Sequence, residues 1–134
     1  VSSVLNKDNR SYGKKHLFDG NEETCWNSEQ GSPQSIVVQF SKPVRLDEIR
    51  IMFQGGFAGK HAQVWVASAA EETLRHHSNF YPDDNNTLQI SSFFWLVEGV
   101  CAPVVERLKI IFPESTDFFG RITIYRLDII GIEA

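Results

Sequence analysis

The sequence lacks the features that mark several large classes of protein. It has no run of about 18 apolar residues, and it does not open on a basic stretch followed by an apolar one. We therefore expect neither a membrane span nor a signal peptide. Its two cysteines, Cys25 and Cys101, form no CxxC pair and no Cys/His cluster with zinc spacing. Because small secreted domains usually carry more cysteine, both are predicted to be reduced thiols in an intracellular protein.

Positive charge is also scarce. The 134 residues carry 13 Lys and Arg against 17 Asp and Glu, a net charge of −4. Direct nucleic-acid binding is not expected, because it depends on clustered basic side chains. The only adjacent basic pair, Lys14–Lys15, is interpreted as a solvated loop.

Catalytic motifs are missing as well. None of the four histidines (His16, His61, His76 and His77) lies in an H-E-x-x-H motif, and there is no G-x-S-x-G and no glycine-rich phosphate loop. Adjacent carboxylates such as Glu22–Glu23 indicate solubilising charge and not an acid/base pair. We therefore predict a binding domain that is not an enzyme and needs no cofactor.

What the chain has instead is a series of short β-type segments. β-branched and aromatic residues recur at a period of two between Gly, Pro and Asn turns. The predicted strands cover residues 34–40, 44–53, 62–68, 86–97, 106–112 and 121–132. Residues 69–77 have local helix propensity but could equally form the turn of a hairpin. The pattern predicts one all-β domain over residues 1–134, either a sandwich or a barrel.

Three segments together resemble the discoidin domain, also called the coagulation factor V/VIII type C domain. Residues 17–28, LFDGNEETCWNS, match its Asp-Gly-x-x-x-Thr-x-Trp loop. IRIMFQGGF at 49–57 resembles its strand ending in Gln-Gly, and GRITIYRLDIIG at 120–131 resembles its closing strand. The resemblance covers essentially the whole chain. It implies a discoidin-like jelly-roll β-sandwich of the galactose-binding-like type.

Further segments, among them HLFD, FYPDDNN and TDFFGR, are similar to a small intracellular branch of this family. That similarity implies a monomeric module that binds a nuclear receptor and represses transcription by protein contact in the nucleus. Secreted relatives carry a cysteine where this sequence has Ile132, and its absence favours an intracellular location. A lectin-like carbohydrate-binding module and a calcium-stabilised scaffold subunit remain the alternatives. Residues 90–103 are more aromatic than the family pattern, and no role is assigned to them.

In many discoidin domains the loop around Asp19 holds a calcium ion, which takes about six to eight oxygen ligands. If calcium binds here, the resemblance implies Asp19, Asn21 and Thr24 as ligands. Calcium-binding relatives place a glutamate on the last strand, where this sequence has Arg126. Since a guanidinium prefers a carboxylate partner, we predict an Asp19–Arg126 pair and no metal. Trp26 is interpreted as a core anchor in preference to a ligand-stacking platform.

Loops at one end of the sandwich form the recognition surface of the family. The loop at residues 6–13 is polar and contains Arg10 and Tyr12, so inserting it into lipid would be unfavourable and no membrane binding is expected. The loop at residues 55–61 offers Phe57, which could be a protein-contact hot spot or could equally fold back over the core.

The other candidates lie beside Phe57 or in the STDFFG turn. Lys60 and His61 follow Phe57 closely in the same loop. Of the adjacent pair Phe118 and Phe119, one ring is predicted in the core and the other at the surface, with Phe118 taken as the surface candidate. The predicted partner-binding set is thus Arg10, Tyr12, Phe57, Lys60, His61 and Phe118; Arg10, Tyr12 and Phe57 could also form a sugar-binding patch.

Overall fold

The computed structural model describes residues 1–92 and 104–133. The N-terminal region consists of short helical turns: a 3₁₀ helix at Leu5–Lys7, the one-turn helix α1 at Asn9–Tyr12, and a second 3₁₀ helix at Lys14–Leu17. The described residues then form seven strands: β1 (Trp26–Asn27), β2 (Gln34–Phe53), β3 (Ala62–Ala67), β4 (Arg75–Phe80), β5 (Leu88–Ser92), β6 (Val104–Phe112) and β7 (Thr123–Glu133).

The long strand β2 organises the sheet. Hydrogen bonds join the described strands in the antiparallel order β1-β7-β2-β6-β3-β4, and β5 also pairs with β2. Residues 34–39 of β2 pair with β6, and Val44 and Arg45 still pair with β6 after a register shift. Residues 44–53 pair with β7, and residues 48–52 also pair with β5. The register shifts between Gln39 and Val44, which lets the sheet bend there and carries β2 from one layer into the other. The strands predicted at 34–40 and 44–53 are therefore one element with an irregularity in its middle.

The core lies between the two halves of this folded sheet. Buried side chains recur at alternate positions, as in Ile49, Ile51 and Phe53 of β2 and Ile110 and Phe112 of β6, because successive residues of a strand point to opposite faces. The rings of Phe53 and Phe112 meet edge to face with their centroids 5.8 Å apart, which places the two layers in direct contact. The all-β sandwich predicted from the sequence is confirmed.

Residues 69–77 form no helix, and the hairpin alternative is the one that holds. The turn between β3 and β4 is closed by the Ser68 amide, which donates to the Glu71 carboxylate at 3.0 Å. The same carboxylate pairs with Arg75 Nε at 3.1 Å. From Arg75 onward the chain is strand β4, because its backbone groups find partners on β3. Pairing between strands overrides the local helix propensity.

Two sequence predictions extend beyond the described residues. Of the strand predicted at 86–97, β5 accounts for Leu88–Ser92, while residues 93–97, most of the aromatic segment 90–103, and Cys101 lie outside the described part of the chain. Cys25 is buried and is a free thiol, as predicted. Burial raises the pKa of the Cys25 thiol, which keeps it protonated and unreactive.

Candidate functional site: the rim at one end of the sandwich

Three loops are bonded to one another at one end of the sandwich, and we call this surface the rim (residues 28–33, 54–61 and 113–122). The Gly31 amide donates to the Phe119 carbonyl at 2.7 Å, which joins the first loop to the third. The Thr116 amide donates to the Ala58 carbonyl at 2.8 Å, which joins the third loop to the second. Backbone bonds between neighbouring loops hold the rim as one rigid surface.

The turn at 115–121 is stabilised from within. Ser115 Oγ accepts from the Asp117 amide at 2.9 Å and donates to the Arg121 carbonyl at 2.6 Å. Gly120 has φ +86°, a left-handed conformation that favours glycine. A Cβ at Gly120 would also lie 2.8 Å from the Gly31 backbone, so close approach of the two loops requires glycine here.

Arg121 is the central cation of the rim. Its Nε donates to the Asp117 carboxylate at 2.9 Å. Its guanidinium lies 5.1 Å from the ring centroid of Phe57 and 5.8 Å from that of Phe119, within the range of cation–π contact. The hydrogen bond from Arg121 lowers the pKa of the Asp117 carboxyl, and the same bond raises the pKa of Arg121. The two side chains are therefore a fixed ion pair at neutral pH.

The two phenylalanines of the turn both face solvent. Phe118 is 93% exposed and Phe119 is 53% exposed, with their rings edge to face at 5.3 Å. The prediction that one of them lies in the core is wrong. Alternation between core and solvent belongs to extended strands, and these residues lie in a tight turn that ends before β7. The prediction that Phe118 is a surface residue agrees with its exposure.

A groove of about 350 Å³ opens beside Phe118. It is lined by Lys60, Glu114 and Asp117, together with Ser32, Ser115, Thr116 and Gly120. The Lys60 ammonium lies 4.0 Å from the Glu114 carboxylate. Charged and hydroxyl side chains thus surround the base of an exposed aromatic ring.

The structure brings together only part of the predicted partner-binding set. Phe57, Lys60 and Phe118 all belong to the rim, and half-buried His61 precedes β3. The half-buried Phe57 ring lies under Arg121, so it is neither a free spike nor a core residue.

The other two members of the set, Arg10 and Tyr12, lie on α1. The Arg10 carbonyl bonds to His16 Nε2 at 2.9 Å, which links this helix to the residues before the Asp19 loop. The turn before the helix contacts the rim, because the Asn6 amide donates to the Glu29 carboxylate at 3.1 Å.

Sequence reasoning missed Asp117 and Arg121 as rim residues. The acid and the base lie four positions apart in TDFFGR, a spacing that a turn brings within hydrogen-bond distance. This four-residue spacing is the sequence signal that could have predicted the Asp117–Arg121 ion pair.

The Asp19 loop uses its oxygen atoms internally. Asp19 Oδ1 accepts from the Asn21 amide at 2.9 Å, and Oδ2 accepts from the Thr24 hydroxyl. Asn21 Oδ1 in turn accepts from the Glu23 amide at 2.9 Å. The hydrogen bonds from Thr24 and Asn21, with a smaller contribution from His16, lower the pKa of the Asp19 carboxyl. The three predicted calcium ligands are therefore brought together, and they bond to one another and to the loop backbone.

The Asp19–Arg126 pair is not among the ion pairs of the described residues. Arg126 Nε donates to Asp128 at 2.9 Å, and its Nη1 lies 3.6 Å from the Glu22 carboxylate. Arg126 and Asp128 share one face of β7 because they are two positions apart. Arg126 does tie the last strand to this loop, but it does so at Glu22. Among the residues that the structure describes, no group of three or more His, Cys, Asp or Glu side chains is arranged to hold a metal ion.

Trp26 is a core residue, as interpreted from the sequence. Its side chain is fully buried, and its indole Nε1 donates to the Ser3 carbonyl at 2.9 Å. The ring therefore fastens the N-terminal segment to the sandwich and is not available to stack on a ligand. Within the described ranges, no helix has the length and apolar character needed to cross a membrane.

Sequence relatives of this chain are found over nearly its whole length. A family model described as "NedA-like, galactose-binding domain", of the F5/8 type C group, matches residues 16–92. Over 131 residues the chain is 53% identical to the nuclear receptor 2C2-associated protein of Danio rerio and 44% identical to that of Homo sapiens. Each alignment covers 98% of this chain and 88% of the relative.

Solved structures share the fold at low sequence identity. The F5/8 type C domain of a Bacteroides fragilis protein matches with a TM-score of 0.79 at 14% identity, over 99% of this chain and 89% of that domain. A family 32 carbohydrate-binding module of Clostridium perfringens, solved with galactose, matches with a TM-score of 0.70 at 20% identity, over 90% of this chain and 85% of the module. The fold and its end loops define a galactose-binding-like sandwich. The chain belongs to the factor V/VIII type C (discoidin) family and, within it, to the nuclear receptor 2C2-associated proteins.

Proposed function

We propose that this domain is a non-catalytic protein-interaction module that binds a nuclear receptor through the rim, with Phe118 as the central contact. The observation that carries the proposal is the exposure of Phe118 on a rigid turn. An aromatic ring left almost wholly in water forgoes roughly 2 kcal/mol of burial, and surface aromatics of this kind are typical of interface hot spots.

The surroundings of Phe118 favour a protein surface as its partner. Phe119 packs against it, and Arg121 is held in place by Asp117 and by two aromatic rings. Aromatic and arginine side chains are the residues enriched in protein interfaces, and fixed side chains lose little conformational entropy on binding. The rim is therefore organised before a partner arrives.

The choice of a nuclear receptor comes from the relatives, whose name records an association with nuclear receptor 2C2. With that partner, the module acts in the nucleus of the cell as a monomer that represses transcription by contact alone. No step of this function needs nucleic acid, membrane or a cofactor. A receptor-driven reporter gene, measured with and without the domain, tests the repression separately from the binding.

Binding to purified nuclear receptor 2C2 tests the rim directly. Phe118→Ala is expected to weaken the affinity by at least tenfold in titration calorimetry, as for other aromatic anchors. Tyr81→Ala is the matched control, because Tyr81 is also an exposed aromatic residue but lies outside the rim. Unchanged affinity of the Phe118 variant would place the interface elsewhere, and a wild-type domain that failed to bind would overturn the receptor assignment.

The groove beside Phe118 supports a carbohydrate as the second candidate ligand. Its volume of about 350 Å³ is at the small end of typical ligand pockets, and hydroxyl and charged groups line it next to an aromatic ring. A glycan array separates the two functions. Selective sugar binding that Asp117→Asn abolishes, without receptor binding, would favour the lectin-like alternative.

A further inference from the structure

A second groove lies beside the N-terminal segment, and none of its lining residues belongs to the rim. It has a volume of about 260 Å³ and runs between the 3₁₀ helix at Lys14–Leu17 and the first half of β2. We call it the basic groove; the residues that line it are Val1, Lys14, Lys15, Leu17, Phe18, Ile36 and Val37.

The charge around the basic groove is opposite to that of the chain. Residues 1–18 contain four Lys or Arg and one Asp, whereas the chain as a whole has a net charge of −4. Lys14 and Lys15 are exposed, and the ion pairs formed within residues 1–92 and 104–133 involve neither of them. Two ammonium groups are thus available to an outside carboxylate.

The apolar part of the groove is shaped to receive one large side chain. Phe18 and Val37 are each 55% exposed, while Leu17 and Ile36 below them are buried. Pockets for whole small molecules measure roughly 300–1,000 Å³, so a groove of about 260 Å³ is smaller than a typical ligand site. It suits part of a larger partner.

We propose that the basic groove binds an acidic peptide segment of a protein partner. One bulky apolar side chain of the peptide lies between Phe18 and Val37, and carboxylates of the peptide pair with Lys14 and Lys15. A membrane is the weaker fit, because anionic lipid surfaces attract clusters of about four to eight basic residues and the groove has two. This contact is additional to the rim and does not depend on it.

The experiment uses the whole chain and a fluorescein-labelled peptide in which Glu and Asp residues flank a central Leu-Phe pair. Fluorescence anisotropy is expected to show saturable binding that weakens as salt is raised. Amide chemical shifts should change at residues 14–18 and 36–37. Reversing both charges in the variant K14E/K15E is expected to weaken binding by about tenfold.

Matched controls separate this groove from general charge attraction and from the rim. Lys42→Glu reverses another exposed lysine, one that pairs with Glu133 elsewhere, and it should leave peptide affinity unchanged. Phe118→Ala should also leave it unchanged, so the rim and the groove fail independently. A peptide with Ser in place of Leu-Phe should bind much more weakly.

Several results would overturn the proposal. They are equal affinity for the Ser peptide, equal loss in the Lys42 variant, or amide changes confined to the rim. Binding to vesicles of phosphatidylserine and phosphatidylcholine that K14E/K15E abolishes, without peptide binding, would assign the groove to lipid instead.

Discussion

The Asp19 loop and the rim turn at 115–121 are stabilised by similar hydrogen bonds, but they differ in the exposure of the aromatic residue that follows the aspartate. Each fixes an aspartate with a backbone amide and a basic side chain: Asp19 receives the Asn21 amide and His16, while Asp117 receives the Arg121 amide and guanidinium. Trp26, seven residues after Asp19, is fully buried, whereas Phe118, directly after Asp117, is almost fully exposed.

The difference shows that a hydrogen-bonded polar loop does not by itself mark a ligand site. In the Asp19 loop the polar groups bond to one another within residues 19–24, and the Trp26 ring that follows is fully buried. In the rim turn, equivalent bonds hold Phe118 in water. What the anchored loop presents to solvent distinguishes a structural loop from a binding one.

The largest expected effect concerns the two aromatic rings. Trp26→Ala should lower the free energy of unfolding by about 3–5 kcal/mol, because it removes a fully buried ring. Phe118→Ala should stay within about 0.5 kcal/mol of the wild type, because its ring is exposed. Denaturant unfolding measures both. A loss above about 1 kcal/mol for the Phe118 variant would mean that the ring packs against the domain.

The second prediction tests the rigidity of the rim turn. Gly120 and Gly56 have nearly the same left-handed φ, +86° and +88°, but an added Cβ meets backbone only at Gly120. Gly56→Ala should lower the free energy of unfolding by about 1 kcal/mol through backbone strain alone. Gly120→Ala should lower it by at least about 1 kcal/mol more, because the Gly31 backbone must move.

Gly120→Ala should also weaken receptor binding more than Gly56→Ala, because only Gly120 lies in the turn that carries Phe118. Equal stability losses in the two variants would show that the approach of the two loops is unimportant.

The third prediction concerns pH. The Asp117 carboxyl has a folded-state pKa below its ordinary value of 3.8, since Arg121 bonds to its charged form. The stabilisation is therefore fully present above about pH 4 and is lost as the pH falls through the lowered folded pKa. The Asp117→Asn variant should have a lower melting temperature than the wild type at pH 7, and this difference in melting temperature should shrink toward pH 2. A difference independent of pH would exclude the ion pair as its cause.

The smallest expected effect is that of calcium. Because the side-chain oxygens of Asp19 and Asn21 already accept hydrogen bonds within the loop, adding calcium or a chelator should leave the melting temperature unchanged. Asp19→Asn should lower the melting temperature to the same extent with and without calcium. A rise on adding calcium, lost in the Asp19 variant, would establish the calcium-stabilised alternative.

Much of the fold could be predicted from the chain, because alternation at a period of two is a local signal. It located β3 and β6, while the burial of Trp26 was predicted from its place as a large aromatic residue between turn residues. Residues 69–77 were left open between a helix and a hairpin turn, and pairing of β4 with β3 decided for the hairpin. The sequence pattern also divided β2 in two, since Pro43 and its neighbours read as a turn although the strand continues through them.

The candidate site was less predictable. Phe57, Lys60 and Phe118 were chosen for their residue types and loop positions, and the rim unites them. Arg10 and Tyr12 were chosen on the same grounds but lie on α1, which is linked to the residues before the Asp19 loop. The partner of Arg126 was misassigned because Glu22 and Asp128 compete for the same guanidinium, and only their positions in space decide between them.

The sequence by itself determined the all-β sandwich, the family and the burial of Trp26, since these follow from periodicity and from local motifs. Only the tertiary structure decided which loops share the rim, that both Phe118 and Phe119 face water, and where the unpaired lysines meet an apolar groove. These features depend on the bend in β2 and on bonds between loops that are distant in sequence. No local sequence pattern encodes contacts between residues that are so far apart in the chain.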